Sequence, residues 1–217
     1  QVTVEPDTEL TLQDVNLSNQ GSAPVVFKGD ATLTLEGANT LEGKCVAWDF
    51  KSGSGIYIEQ GTLTINADNE DASLAISRKY NWEPNSTTGM GISVPENASL
   101  ILKSGKITVT DVSDVGDSSG AGIGTRSETC GNITIEGGNI TVGKCSWHAA
   151  GIGSLNGDCK GITITGENTV VNVSKGDYAS CYIGSGNGTV TGNITIDGGA
   201  TVNGVKYTNE KPHTGPL

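Results

Sequence analysis

Two groups of side chains in this sequence have residue types and spacing that could perform chemistry. In the first group, Cys145 and His148 are three residues apart and enclose Trp147. A Cys–His pair can activate a thiolate nucleophile, and the same pair could supply two of the four ligands of a zinc ion. Neither a third orienting group nor a second ligand pair accompanies it in the sequence. We therefore expect a packed Trp147 followed by a solvent-exposed histidine.

The second group is acidic and could hold a hard cation. Asp111, Asp114 and Asp117 recur every three residues in a segment rich in serine and glycine. Calcium takes several carboxylate and carbonyl oxygens from flexible loops, whereas most acidic loops are simply solvated. The spacing leaves both interpretations open, a structural Ca²⁺ site and a solvated loop, and no other cofactor is expected.

The composition decides which elements could position these groups. The chain has 217 residues, including 32 glycines, and its 24 acidic and 13 basic side chains leave a net charge of −11. Nucleic acid would be repelled by such a surface, and the chain has no run of about 18 apolar residues that would insert in a membrane. Glycine at this density also disfavours helices. A single all-β domain is the class that remains.

Three apolar patterns recur along the chain with one common period of about 31 residues. The first passes through Val25, Ile56, Ile92, Ile123, Ile152 and Ile183, the second through Leu33, Leu63, Leu100, Ile133, Ile162 and Ile194, and the third through Leu41, Leu74, Ile107, Ile140, Val170 and Val202. Agreement between three independent registers indicates a solenoid repeat.

Within each period, short strands alternate an apolar residue with threonine, so one face is buried and the other is hydrated. Three strands per period leave no room for crossover helices. The sequence therefore predicts a right-handed parallel β-helix of three sheets, with about seven coils over residues 1–206. Residues 68–80 could form a dipole-matched helix, but their register favours a strand. Residues 207–217 have no periodicity and are expected to be a tail or a linker.

Five cysteines occur, which is an odd number. Cys130 and Cys159 each precede an inward isoleucine, Ile133 or Ile162, by three residues. They should stack in adjacent coils with Cα atoms about 4.8 Å apart, a separation that a disulfide tolerates. The alternative is a ladder of reduced, buried thiols.

The aromatic residues are concentrated in one kind of connection, the one that leads into the first strand of a coil. Six of the ten fall there: Trp48, Phe50, Tyr80, Trp82, Trp147 and Tyr178. Equivalent connections of a solenoid share one edge, so these rings form a candidate ligand-binding edge. Exposed rings there would suit sugar recognition or a protein contact. The alternative is that the rings fold back and cover the edge of the sheet.

Several repeated strings resemble a known group of proteins. Ala121-Gly122-Ile123-Gly124, Ala150-Gly151-Ile152-Gly153 and the segment from Cys130 to Gly138 resemble repeat units of secreted, right-handed parallel β-helix proteins of gut bacteria, a carbohydrate-binding or adhesin-like group. The resemblance implies a secreted or cell-surface bacterial protein that binds a polysaccharide or host glycan. It supplies no catalytic residues. A chain that begins at Gln1 is also expected to be a processed form.

Parallel β-helices also carry enzymes, so polysaccharide cleavage is the rival function. Enzymes resembling pectate lyase need a basic side chain beside a carboxylate-held Ca²⁺, but Arg78 and Arg126 are the only arginines and neither adjoins an acidic ladder. Hydrolases resembling polygalacturonase need Asp-Asp and His-Gly pairs, which this sequence lacks. We therefore expect a non-catalytic glycan-binding or adhesion module. A lyase or hydrolase, and a spacer that displays another domain, are the alternatives.

Overall fold

A computed structural model of the chain describes residues 1–44, 53–79, 89–110, 120–145, 147–187 and 192–217. These residues form 23 strands joined by turns and bends, with no helix among them. The strands repeat in the order expected for a solenoid, because each one before the last coil pairs in parallel with its equivalent one period further along the chain. The fold is a three-sheet parallel β-helix.

Each sheet takes one strand from every coil. Sheet A contains β1 (Val2–Val4), β4 (Val25–Phe27), β7 (Ile56–Ile58), β10 (Ile92–Ser93), β13 (Ile123–Gly124), β16 (Ile152–Ser154) and β19 (Ile183–Ser185). Sheet B contains β2 (Thr8–Gln13), β5 (Ala31–Glu36), β8 (Gly61–Ala67), β11 (Ala98–Leu102), β14 (Cys130–Ile135), β17 (Cys159–Ile164), β20 (Asn193–Ile196) and β23 (His213–Thr214). Sheet C contains β3 (Asn16–Gln20), β6 (Ala38–Lys44), β9 (Ser73–Lys79), β12 (Lys106–Val109), β15 (Asn139–Val142), β18 (Val170–Val173), β21 (Thr201–Val202) and β22 (Val205–Lys206). We number the coils 1 to 7 by their sheet A strands.

The pairing register confirms most of the repeat. In sheet A, Ile56 is the partner of both Val25 and Ile92, and the ladder continues through the predicted isoleucines to Ile183. The predicted ladder of sheet B is confirmed from Leu63 to Ile194. Residues 73–79 form β9, which confirms a strand there.

Three predicted positions are wrong. Leu33 pairs with Ile65 rather than Leu63, and Leu41 pairs with Ile76 rather than Leu74. Both are shifts of two residues, which keep the same face of the strand inward.

At the third wrong position, the predicted residue lies on the opposite face of its strand from the buried one. Ile140 pairs with Val171, which is fully buried, whereas the predicted Val170 is half-buried. Asn139 and Val170 open β15 and β18 and are partners, so the second residue of each strand, Ile140 or Val171, faces inward. The step from Ile140 to Val171 is 31 residues, which is the common period, whereas the step to Val170 is one residue short.

The interior of the coils is filled by stacked aliphatic side chains, and each strand places them at alternate positions. The buried set includes Leu63, Leu100, Ile133 and Ile162, all with no exposed surface. Burial of a side chain of this size contributes roughly 1.5–3 kcal/mol relative to exposure. Similar aliphatic side chains stacked one coil apart thus help to hold the register of sheet B.

A ladder of glycines lets successive coils approach closely at sheet A. Gly124, Gly153 and Gly184 have φ of 133°, 126° and 126°, a region that L side chains rarely adopt. A Cβ atom on Gly124 would overlap the carbonyl oxygen of Gly153, and one on Gly153 would overlap that of Gly184. The repeated Gly-Ile-Gly strings are therefore explained by backbone contact between coils.

Residues 207–217, which the sequence suggested as a tail or linker, pack on the last coil. β23 pairs antiparallel with β20, and the nearby β22 pairs antiparallel with β21. Leu217 exchanges backbone hydrogen bonds with Ile183, and its carbonyl also accepts one from Tyr182. The C-terminal segment thus satisfies backbone groups at the end of every sheet.

Candidate functional site

The predicted aromatic edge lies partly within the described residues. Trp147 and Tyr178 are described, with 46% and 66% of their surfaces exposed. The expectation of a packed Trp147 is therefore wrong, and these two rings do not fold back over the sheet. Trp48, Phe50, Tyr80 and Trp82 fall outside the described residues.

The connection from β15 to β16 presents Trp147 by burying the residues around it. Cys145 is 2% exposed, and Ala149 and Ala150 are fully buried. These small side chains fit beneath the connection, where an indole would not. Trp147 consequently points away from the interior.

The connection from β18 to β19 lies against the previous one and is tied to it by backbone hydrogen bonds. Gly176 N–H donates to the carbonyl of Ala149 at 3.0 Å, and Tyr178 N–H donates to the carbonyl of Trp147 at 2.7 Å. The second bond fixes the backbones of the two exposed aromatic residues relative to each other.

Three rings meet at this point, and we call Trp147, His148 and Tyr178 the aromatic platform. The centroids of Trp147 and Tyr178 are 5.7 Å apart with an interplanar angle of 65°, an edge-to-face arrangement. The His148 ring lies 5.5 Å from Tyr178 with a tilt of 31°. The platform thus offers apolar ring surface together with indole, imidazole and phenol polar atoms.

Charged groups flank the platform on the same two connections. The Nζ atom of Lys144 lies 2.8 Å from Oδ2 of Asp177, an exposed ion pair that joins coils 5 and 6. Lys175 Nζ lies 5.2 Å from the ring centroid of Tyr182, which is 40% exposed. The two connections that hold the rings therefore also carry side chains of both charges.

His148 and Tyr182 were missing from the predicted edge. The sequence pairs His148 with Cys145 and gives Tyr182 no place in the predicted edge. Strand alternation could have found Tyr182, because Ile183 is fully buried and its neighbour must face outward. Nothing in the sequence pattern indicated the contact between His148 and Tyr178.

Cys145 and His148 are engaged in different packing environments. The Cys145 thiol is buried, with Sγ 3.5 Å from the carbonyl oxygen of Gly143. His148 is half-buried and packs against Tyr178.

The predicted stacking of Cys130 and Cys159 is confirmed in register. The two residues are direct Cα partners between β14 and β17, and both are fully buried free thiols. The hydrogen bond between the two thiols, followed by burial, raises the pKa of Cys130 well above its usual value. Their oxidation to a disulfide stays a prediction.

A third thiol, that of Cys181, lies close to this pair. Burial, and then the neighbouring Cys159, raise the pKa of Cys181 to about 11, although Lys175 opposes the shift. Its Sγ donates to the carbonyl of Ser185 at 3.1 Å. Cys130, Cys159 and Cys181 form what we call the thiol cluster.

The described residues hold no group of three or more His, Cys, Asp or Glu side chains arranged to bind a metal. The predicted calcium ligands Asp111, Asp114 and Asp117 fall outside those residues. A second acidic turn is described, and there Asp71 accepts a hydrogen bond from Lys106 at 2.7 Å, which lowers the pKa of its carboxyl group.

Comparison with known proteins returns no match: no family model, no curated protein and no solved structure resembles the chain closely enough to be reported. None of the described residues belongs to a helix with the length and apolarity needed to cross a bilayer.

Proposed function

We propose that this protein is a non-catalytic β-helix module, secreted or displayed at a cell surface, that binds glycans at the aromatic platform. The observation that carries the proposal is the exposure of Trp147 and Tyr178, which neighbouring coils hold edge to face at 5.7 Å. Large aromatic side chains are normally among the better buried residues. Two such rings in contact with each other at the surface support a binding role.

Sugars match this surface chemically. A pyranose has apolar C–H faces that pack on aromatic rings, and its hydroxyl groups point outward from the ring edge. The hydroxyl groups can donate to Asp177 and accept from Lys144, which together form an ion pair beside the platform. The platform would bind the face of a sugar, and the flanking charges would bind its edge.

The scaffold favours binding by restricting the motion of the site before the ligand arrives. The hydrogen bond from Tyr178 N–H to Trp147 and that from Gly176 N–H to Ala149 hold the two connections together. Sites ordered in advance lose less conformational entropy on association. A rigid solenoid is therefore a suitable support for a shallow glycan site.

Affinity electrophoresis in gels containing pectins, mucin glycans or plant glycans tests the proposal. The intact protein should be retarded by at least one of these polymers. Trp147→Ala should weaken the retardation at least about tenfold, which corresponds to about 1.4 kcal/mol. The Trp48→Ala, Trp82→Ala, Trp147→Ala triple variant should then abolish it, if the whole predicted edge takes part.

The matched control is Val205→Ala, which shortens another exposed apolar side chain, one that is 52% exposed on β22. This variant should bind as the wild type does. Retardation that survives the tryptophan substitutions would exclude the platform as the site. New reducing ends or unsaturated products in the same incubations would support the enzymatic alternative.

A further inference from the structure

The thiol cluster has a geometry that the proposed function does not use. Cys130 opens β14 and Cys159 opens β17, and the two are direct partners in parallel register. Adjacent strands are about 4.8 Å apart, and disulfides span Cα separations of roughly 4.4–6.8 Å. The backbone would therefore need little movement to accept a bond between these residues.

Both side chains lie in the interior of the solenoid. Neither residue has exposed surface, and the Cys159 thiol, together with burial, raises the pKa of Cys130. The Sγ atom of Cys159 lies 3.4 Å from the carbonyl oxygen of Gly184, on the side of the next coil. A bond to Cys130 would therefore turn the Cys159 side chain toward coil 5.

We propose that Cys130 and Cys159 form a disulfide that clamps coil 5 to coil 6. The oxidant is a low-molecular-weight disulfide of the glutathione class. One protein thiolate attacks it and releases one small thiol, and the second protein thiolate then displaces the other small thiol from the mixed disulfide. Two protein thiols lose two protons and two electrons, and one small disulfide becomes two small thiols.

Burial determines when this bond forms. Neither thiol is accessible once coils 5 and 6 have stacked, and the thiolate is the species that attacks a disulfide. Exchange must therefore occur while the coils assemble. The folded, reduced protein should resist the same oxidant.

Cys181 is the competing partner for Cys159. Cys159 contributes to the raised pKa of Cys181. Cys181, however, precedes β19 and its thiol donates to the carbonyl of Ser185, at the end of β19, at 3.1 Å. Cys130 is the direct register partner, so the Cys130–Cys159 bond should form in preference.

Peptide mapping tests the pairing. Cys145→Ser protein is refolded in a glutathione redox buffer, alkylated and digested with trypsin. Cleavage after Arg126, Lys144 and Lys160 places Cys130 in peptide 127–144 and Cys159 alone in peptide 145–160. We expect these two peptides to be linked and to separate on reduction. Alkylation of both cysteines, or a link from 145–160 to any other peptide, would overturn the proposal.

Thermal unfolding provides a second readout. Reduction of the refolded protein should lower Tm by roughly 5–10 °C, because the bond closes a long loop of the unfolded chain. Cys130→Ser and Cys159→Ser should each remove this dependence on reductant, whereas Cys181→Ser should keep it. A shift that persists in Cys130→Ser would contradict the assigned pair.

Discussion

Coils 5 to 7 carry two different arrangements of side chains, one on the inside and one on the outside. Inside, Cys130 and Cys159 face each other with no exposed surface. Outside, Trp147 and Tyr178 are 46% and 66% exposed and meet edge to face. Both arrangements join neighbouring coils, but one lies on strands and the other on connections.

The difference shows how this solenoid separates stability from recognition. Strand residues must repeat, because each stacks on its equivalent in the next coil and a large cavity or clash would disturb both. Residues of the connections face water, and their only structural task is to link one strand to the next. Their side chains can vary from coil to coil, so ligand specificity is free to develop there.

The largest expected effect comes from adding a side chain to the glycine ladder of sheet A, where successive coils are in close backbone contact. Gly153→Val would drive a Cβ atom into the carbonyl of Gly184 at a φ of 126°. We expect a loss of more than about 3 kcal/mol in the free energy of unfolding. Urea unfolding followed by far-ultraviolet circular dichroism measures it.

Gly204→Ala is the control for this change. Gly204 also has a positive φ, of 79°, but a Cβ atom there would meet nothing within 4 Å. It should cost only the left-handed backbone strain, about 1–2 kcal/mol. Equal losses in the two variants would show that close coil contact is not what requires Gly153.

A smaller effect is expected on the alkylation rate of Cys181, a thiol in the interior of the coils. The pKa of Cys181 is raised from 9.0 to about 11 by burial and by Cys159. A pKa of about 11 in place of 9.0 lowers the thiolate fraction of Cys181 at pH 8 about 100-fold, and alkylation should slow accordingly. The rate should rise about tenfold per pH unit until pH approaches 11, as long as the protein stays folded.

Mass spectrometry of the peptide 176–206, which contains Cys181, measures this rate on the reduced protein. The rate for a short synthetic peptide of the same sequence is the reference. A rate in the protein equal to that of the peptide would mean that the interior does not shield Cys181.

The smallest expected effect concerns the platform itself. Tyr178→Ala should change the free energy of unfolding by less than about 1 kcal/mol, because this residue is 66% exposed. Trp147→Ala should cost about 1–2 kcal/mol, because Trp147 is only 46% exposed and part of its indole is covered. A double-mutant cycle should give a coupling of about 0.5–1 kcal/mol for the edge-to-face pair. Thermal or urea unfolding of the four proteins measures it. Single losses as large as that of Gly153→Val would place the platform with the structural core instead.

The repeat made much of the interior predictable. Ile133 and Ile162 were assigned to one ladder from spacing alone, and the stacking of Cys130 on Cys159 followed from that assignment. The prediction succeeded because the alternation of side chains along a strand and the repeat period act together. Once one pair of residues is aligned between two strands, the pairing of their neighbours follows. It failed for Val170 because β18 has valine at both positions 170 and 171, so residue type does not show which of the two faces inward.

The outer site was less predictable. The sequence placed Trp147 and Tyr178 on one edge, because equivalent connections of a solenoid coincide. It did not indicate that Trp147 would be exposed, nor that His148 would contact Tyr178. Those outcomes depend on the directions of side chains in short irregular turns, for which no periodic rule exists.

The sequence by itself determined the coil and its inward ladders, because a solenoid is set by local strand patterns repeated at one spacing. Only the tertiary structure decided the contents of the platform, the packing of Leu217 against Ile183, and the thiol neighbours of Cys159. Each of these joins residues from different coils through turns of unequal length. Their meeting depends on three-dimensional positions that the repeat does not encode.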